Sequence, residues 1–364
     1  MTSVLEPEVA VVGAGPAGMA AALAAAEGGA DVLLIDREHR LGGQLVKQTH
    51  KFFGSSDQEA GIRGIHIAER LGERIRQHAA IRIWLGTTVI AYYPDGVLLA
   101  EKAGHGLVKA KPRCLVVATG AAERHLAFAG NDLPGVYGAG AVQTLMNVHG
   151  VLPGQRALMV GAGNIGLIVS YQLLQAGVQV VEVIEAAEEI GGYAVHAAKI
   201  RRAGVPIRTR HSVLKVEGDS CVEQAVVARL DEGWKPIPGT ERVLQVDLVC
   251  LAVGLTPLTE ILWQAGCRMV WVPELGGHVP VRSETLETTV PGVWVAGDAA
   301  GVEEASTAMI EGELAGLAAA HRLRPLKEFD ERCRQLRQAL AELRAGPLAA
   351  KVRRGLARLE GGTC

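Results

Sequence analysis

The chain has 364 residues, with 37 Lys and Arg against 39 Asp and Glu, a formal net charge of -2. That length makes two or three domains at roughly 100–200 residues each, and 21% charged with 49% hydrophobic residues excludes a disordered chain. The near-neutral balance excludes the electrostatic footprint of a nucleic-acid binder, while 45 Gly against 4% aromatic residues points to many tight turns and close backbone approaches.

The first predicted element is a short apolar strand over Val9–Val12. Gly13-Ala14-Gly15-Pro16-Ala17-Gly18 follows, then an Ala-rich helix to about Glu27, then a second apolar run, Val32–Ile35, ending at Asp36. Each part has a physical reason. Gly13 makes the tight turn, Gly15 lets the backbone approach a pyrophosphate, and Gly18 with Ala22 lets the helix lie close on the sheet. The helix N-terminus, with Pro16 and Ala17 in its first turn, offers N–H groups and a positive dipole end to phosphates. Asp36 stands where a carboxylate accepts hydrogen bonds from a ribose hydroxyl pair. The uncharged stretch Val9–Ala26 is neither a membrane span nor a secretion signal. Glycines and Pro16 interrupt its start, and Glu6 and Glu8 rather than basic residues precede it.

A buried strand is expected at Cys114–Val117, followed by Ala118-Thr119-Gly120. The glycine arrangement then returns. Arg156–Val160 is the strand, Gly161-Ala162-Gly163-Asn164-Ile165-Gly166 the turn, and a helix runs to about Gln175, with small Ser170 where Ala22 stands in the first unit. The next strand, Val178–Ile184, ends at Glu185. An acid there repels a 2′-phosphate, and Ala186-Ala187-Glu188-Glu189 supplies no arginine cluster for one. NAD(H) is therefore expected over NADP(H). Further on, Gly292-Val293-Trp294-Val295-Ala296-Gly297-Asp298 reads as a strand ending in an acid, and a small-residue helix is expected from about Thr307 to Ala320. The six cysteines (Cys114, Cys221, Cys250, Cys267, Cys333 and Cys364) form no C-x-x-C pair. Neither a zinc site, an iron–sulfur site nor a redox disulfide is signalled. Scattered thiols fit a reducing cytoplasm and read as small buried hydrophobes. The histidines show no metal-ligand spacing, so no metal is expected.

Two glycine units, Gly42-Gly43-Gln44 after the first, and Gly297-Asp298 near the end resemble the two-dinucleotide flavoproteins of the thioredoxin-reductase type. The resemblance covers about residues 7–322. It implies an α/β fold of two Rossmann-like domains, with an NAD-binding domain (123–256) inserted in an FAD-binding domain (1–122 and 257–325), followed by a helical tail (326–364). It further implies that Gly13, Gly15, Pro16, Ala17 and Gly18 hold the FAD pyrophosphate, and that Asp36, with Arg37 beside it, meets the adenosine ribose. Gly43, Gln44 and Leu45 would pass the flavin, Thr119 and Gly120 at the crossover and Val89 would also bind FAD, and Asp298 after Gly297 would meet the ribityl chain. Gly161, Gly163, Asn164, Ile165 and Gly166, with Glu185 and the second crossover at Gly254, would hold NAD. Disulfide reductases of this type carry a C-x-x-C pair before the second glycine turn. Here Gly138-Ala139-Gly140-Ala141-Val142-Gln143 occupies that region, and no cysteine lies between Cys114 and Cys221, so disulfide reduction by a redox cysteine pair is excluded.

A narrower resemblance rests on Ala118-Thr119-Gly120-Ala121-Ala122-Glu123-Arg124, Phe128, Leu133-Pro134-Gly135-Val136 and Ala139-Gly140-Ala141-Val142-Gln143. These are similar to the α-type flavoprotein subunits of heteromeric opine, proline and other amino-acid dehydrogenases, hydrogen cyanide synthase and heteromeric sarcosine oxidase. That group implies a second subunit that oxidises an amine or amino acid. Two departures stand out: Ala129 occupies a position where proline is expected, and the group's cysteine-rich extension is absent, so no iron–sulfur cluster is expected in this chain.

FAD would carry the redox chemistry while the protein supplies orientation and charge. Reduced flavin is negative around N1 and the C2 carbonyl, so positive groups should face that edge. The resemblance directs the N–H groups around Ser306 and Thr307 at it. Glu303 and Glu304 fit helix-start acids. In the stretch after Gln44, Lys47 and His50 are candidates to stabilise reduced flavin or relay a proton, against the plainer reading of solvated lysines and a backbone-bonded histidine. Phe52-Phe53 would pack near the ring. In the tail, Phe329, Cys333, Leu336, Leu340 and Leu343 form an amphipathic stripe, Gly346-Pro347 breaks it, and Leu348, Val352, Leu356 and Leu359 begin another. Helices packed on their own domain compete with a docking arm for a partner subunit. Three functions stay open: a flavoenzyme subunit exchanging hydride between NAD(H) and FAD with a partner dehydrogenase, a free-standing NADH:acceptor reductase, and a nucleotide-binding scaffold subunit. A homodimer is a further candidate.

Overall fold

A computed structural model describes residues 4–52 and 59–360. The chain divides into two compact units. The first takes in Met1–Ala122 and Thr256–Cys364, and the second, Glu123–Leu255, interrupts it in sequence.

The first unit is built on a five-stranded parallel sheet. In spatial order its strands are Val293–Val295, Cys114–Val117, Val9–Val12, Val32–Ile35 and Ile81–Trp84. The apolar runs of the first four are unbroken because the sheet is covered on both faces, whereas the edge strand Ile81–Trp84 carries exposed Arg82. Val9, Val11, Val32, Leu34, Val116 and Trp294 join one core, while Ala10, Val12, Leu33, Ile35, Val117 and Val295 join another. This is the alternation that a strand imposes on successive side chains. The helix Pro16–Glu27 lies in the first core against the helix Ala305–Leu323. Small residues set how close the two come. A Cβ on Gly312 would stand 2.0 Å from the Ala17 carbonyl oxygen, and one on Gly316 would stand 2.2 Å from that of Ala21. A three-stranded antiparallel sheet, Thr87–Tyr92, Leu98–Lys102 and Gly106–Ala110, completes this part.

The tail forms two helices, Phe329–Leu343 and Ala350–Glu360. Cys333 and Leu340 are buried in the first core, with Phe329, Leu336 and Leu343 packed against it. Val352, Leu356 and Leu359 cover a small cluster of Val272, Leu275 and Val279. The first stripe and all of the second but exposed Leu348 thus pack on their own unit.

The second unit repeats the plan. Its sheet runs Ile207–Arg208, Gln179–Ile184, Arg156–Val160, Leu248–Leu251, Val136–Gly138, all parallel. The helix Asn164–Gln175 follows the glycine turn. An antiparallel sheet of His211–Glu217, Gln224–Arg229 and Arg242–Gln245 covers the other face. No described helix in either unit is long and apolar enough to cross a membrane.

The closeness of the helix pair in the first unit is open to test. Gly312→Ala forces a methyl into the Ala17 carbonyl, and overpacking of this kind costs about 1–3 kcal/mol. The thermal midpoint should fall measurably; an unchanged midpoint would show that the two helices do not pack this tightly.

Candidate functional site: two braced glycine turns

In the first unit the strand Val9–Val12 ends in the turn at Gly13, whose φ of 106° is open to glycine and strained for other residues. A Cβ there would lie 2.2 Å from the Ala118 carbonyl oxygen, and one on Gly18 would lie 1.7 Å from that of Gly13. These two glycines let strand, crossover and helix meet. Gly15 does a different job. A Cβ on it would meet nothing nearer than the Gly43 Cα at 4.0 Å, so the space over it is open. It is also the helix N-cap and has no side chain with which to bond the first-turn N–H groups. Open space, N–H donors and a positive dipole end are what a pyrophosphate requires.

Asp36 braces the turn. One of its carboxylate oxygens accepts the Ala14 N–H at 2.5 Å and the other the Glu38 N–H at 2.8 Å. Burial raises its pKa, opposed by those two backbone bonds. Arg37 beside it is exposed and pairs loosely with Glu38. The Gly42-Gly43 segment passes over the turn, with the Gly42 N–H donating to the Ala14 carbonyl at 2.9 Å. Gly43 is close enough that a Cβ would stand 2.6 Å from the Gly15 Cα. Gln44 is exposed and Leu45 buried. Lys47 ends the same short 3-10 turn, and half-buried His50 stacks on Phe52 at 5.7 Å. Phe52 belongs to the core, and Phe53 lies outside the described residues.

At the crossover, the Thr119 hydroxyl donates to the Leu258 carbonyl at 2.6 Å and the Leu258 N–H to the Gly120 carbonyl at 2.9 Å. Gly297 reaches the first turn; a Cβ on it would stand 2.8 Å from the Ala17 Cβ. Asp298 follows. Protein crowds it on nearly every side while part of its surface stays open, and burial pushes its pKa up to about 7. It accepts the Glu303 N–H at 3.3 Å. Ser306 and Thr307 lie in the first turn of the helix that follows, both buried. Val89 is half-buried against the core on the other sheet face, and two residues before it the Thr87 N–H donates to the Asp36 carbonyl at 2.9 Å.

The second unit builds the same device. A Cβ on Gly161 would lie 2.3 Å from the Ala252 carbonyl oxygen, and one on Gly166 would lie 2.0 Å from that of Gly161. Over Gly163, the N-cap, a Cβ would meet nothing within 4 Å. Glu185 accepts the Ala162 N–H at 2.8 Å and the Ala187 N–H at 3.0 Å. The Asn164 side-chain oxygen accepts the Tyr193 N–H at 2.8 Å, and Ile165 is exposed beside it. Gly254 takes a φ of 119° at the crossover.

Sequence reasoning missed three groups here. Gly191-Gly192 passes over the second turn as Gly42-Gly43 passes over the first; the Gly192 N–H donates to the Ala162 carbonyl at 3.0 Å. Leu41-Gly42-Gly43 and Ile190-Gly191-Gly192 follow their acids at the same spacing, so the repeat was available in the sequence. Arg210, far along the chain, donates its backbone N–H to the Ala187 carbonyl and pairs its side chain with Glu188 at 2.7 Å. Glu123 accepts the Gly140 and Ala141 N–H groups at 2.6 and 3.1 Å, at the start of the helix Ala139–His149. Neither of these last two has a local sequence signal.

Two parallel sheets, each ending in a braced glycine turn, define a two-dinucleotide oxidoreductase. The chain belongs to the pyridine nucleotide-disulphide oxidoreductase family, whose model matches residues 7–312, and it is an FAD-dependent oxidoreductase with a nicotinamide cofactor. It is 32% identical over 361 residues to an opine oxidase subunit of Rhizobium meliloti, a match over 93% of this chain and 76% of the relative. It is 28% identical over 318 residues to the alpha subunit of sarcosine oxidase from the same species, over 84% of this chain and 29% of the relative. The chain thus spans under a third of that second protein. Its fold matches T. acidophilum thioredoxin reductase with a TM-score of 0.71 at 23% identity, covering 87% of this chain and 99% of the reductase.

The raised Asp298 carboxyl predicts a pH effect on the FAD-free protein. Its ordinary value is 3.8 and its folded value about 7, so its neutral form is the one the fold favours. Its stabilising contribution is whole below about pH 4 and is lost as pH rises through about 7. Asp298→Asn should flatten that part of the fall in thermal midpoint; an identical pH profile in the variant would contradict the assignment.

Proposed function

We propose that the first unit holds FAD and the second NAD(H), and that the chain passes electrons to or from a partner dehydrogenase whose substrate is an amine or amino acid. The observation that carries this reading is the duplicated braced turn, each with an open glycine at a helix N-terminus. FAD, when bound, supplies the two-electron chemistry. The chain's own residues then bind and orient. Gly13, Gly15 and Gly18 bring backbone N–H groups to the pyrophosphate, Asp36 takes the adenosine ribose, and Asp298 takes a ribityl hydroxyl. Lys47 and His50 remain candidates for charge or proton handling at the flavin. The relatives carry the names of subunits of opine oxidase and sarcosine oxidase, which supports the partner.

The same reading excludes a cysteine-pair disulfide reductase. No two cysteines are spaced C-x-x-C. The helix N-terminus at Gly140 and Ala141, where a thiolate would be stabilised, already holds the Glu123 carboxylate. Among the described cysteines, Cys114 and Cys250 are buried, and burial pushes both thiols up, Cys114 to about 11.

NAD(H) is preferred in this reading because Glu185 would face the ribose and Glu188 pairs with the Arg210 side chain, whose backbone N–H is bonded to the Ala187 carbonyl close by. Two variants test it through nucleotide affinity. Glu185→Arg should weaken NADH binding about tenfold and relax discrimination against NADPH. Glu188→Gln leaves the Glu185 brace intact, frees Arg210 and should strengthen NADPH binding alone. Unchanged preference in both would place the nucleotide elsewhere.

A further inference from the structure

The tail reaches the floor of the proposed flavin site through one side chain. Arg344 follows directly on the helix Phe329–Leu343. Its Nε and Nη2 donate to the two carboxylate oxygens of Glu303 at 2.9 and 2.7 Å, and Nη2 also donates to Glu311 at 2.7 Å. Arg353, from the second tail helix, donates to the Arg344 and Gly346 carbonyls.

The three side chains are almost out of water. Arg344 keeps 15% of its side-chain surface exposed, Glu303 8% and Glu311 4%. Both residues then continue to the strand end, Glu311 through its carboxylate and Glu303 through its backbone N–H. The second oxygen of Glu311 accepts the Gly297 N–H at 2.9 Å, and the Glu303 backbone N–H donates to Asp298 at 3.3 Å. One guanidinium therefore holds two buried carboxylates, and those residues hold the two that precede the flavin-facing helix. Burial raises the pKa of Glu303, while Arg344 and, more weakly, Arg282 favour its ionised form. Removing Arg344 would leave two carboxylates beside Asp298 with the weaker pull of Arg282 on Glu303 in its place, and breaking a buried network from one side is far more damaging than replacing all of it.

We propose that Arg344 is a positioning residue of the FAD site, so that the C-terminal tail is part of the cofactor cradle and retention of FAD depends on the Arg344 charge. This rests on the reading of Asp298 as a flavin contact.

The test uses FAD-free full-length protein, with the dissociation constant read from quenching of flavin fluorescence and folding read from the thermal midpoint. At about pH 8, Arg344→Met should weaken FAD binding about tenfold or more. Adding Glu303→Gln, which removes one uncompensated charge, should recover most of the loss. Burial already raises the Glu303 pKa and loss of Arg344 removes the charge that lowers it, so affinity of the single variant should also improve as pH falls, more than that of the wild type. A folded Arg344→Met protein within about twofold of wild type, or a double variant no better than the single one, overturns the proposal. Should Arg344→Met not fold, Arg344→Lys is read in its place: it keeps the charge and loses the fork, so most of the affinity should be retained, and a folded Lys variant that binds FAD about tenfold or more weakly than wild type overturns the dependence on charge. Gly15→Ala separates the two levels, because a Cβ there has room in the free protein and would crowd a pyrophosphate. If Gly15→Ala binds FAD as wild type does, the reading of the site itself has failed.

Discussion

Each dinucleotide turn depends on one hydrogen bond, from the backbone N–H after its first glycine to a carboxylate at the end of the next strand. Ala14 donates to Asp36 in the first unit and Ala162 to Glu185 in the second. The bond fixes the turn before any ligand arrives, so the remaining N–H groups face outward without reorganisation. It also brings a carboxylate beside the helix N-terminus, where the dipole favours negative charge. A carboxylate has about four lone-pair sites, so bracing the turn leaves room to accept from a ribose. Structure and recognition use the same group, which is why replacing the acid tests both together.

Around the first turn, closeness is obtained from small residues and charge from distant ones. Gly18, Gly312 and Gly316 allow carbonyl oxygens to sit where side chains would otherwise stand. The ionic side chains come from elsewhere in the chain: Glu303 and Glu311 lie just before and within the helix, and Arg344 comes from the tail. Most of the tail's apolar residues pack on its own unit, while Leu348 stays exposed.

The sequence was most readable where structure is local. Val9–Val12, Val32–Ile35 and Arg156–Val160 are strands as their apolar runs suggested, because sheets buried on both faces need no alternation. The helix Asn164–Gln175 ends where its pattern ended. The helix expected from about Thr307 begins earlier, at Ala305, and runs on to Leu323, because Ala305 at one end and Arg322 and Leu323 at the other are good helix formers. The contacts that were not readable join residues far apart in the chain. Arg210 with Glu188, Glu123 with Gly140 and Arg344 with Glu303 have no periodicity or motif to announce them. Gly191-Gly192 is the exception, since the repeat with Gly42-Gly43 stood in the sequence.

The central claim is that both turns are live and joined by one electron path. The direct measurement is an anaerobic titration of the FAD-loaded chain with NADH, following the oxidised flavin band. Bleaching at one NADH per FAD is the predicted result. Bound FAD that NADH leaves oxidised would contradict the account, and the second turn would then be a scaffold or the seat of another nucleotide.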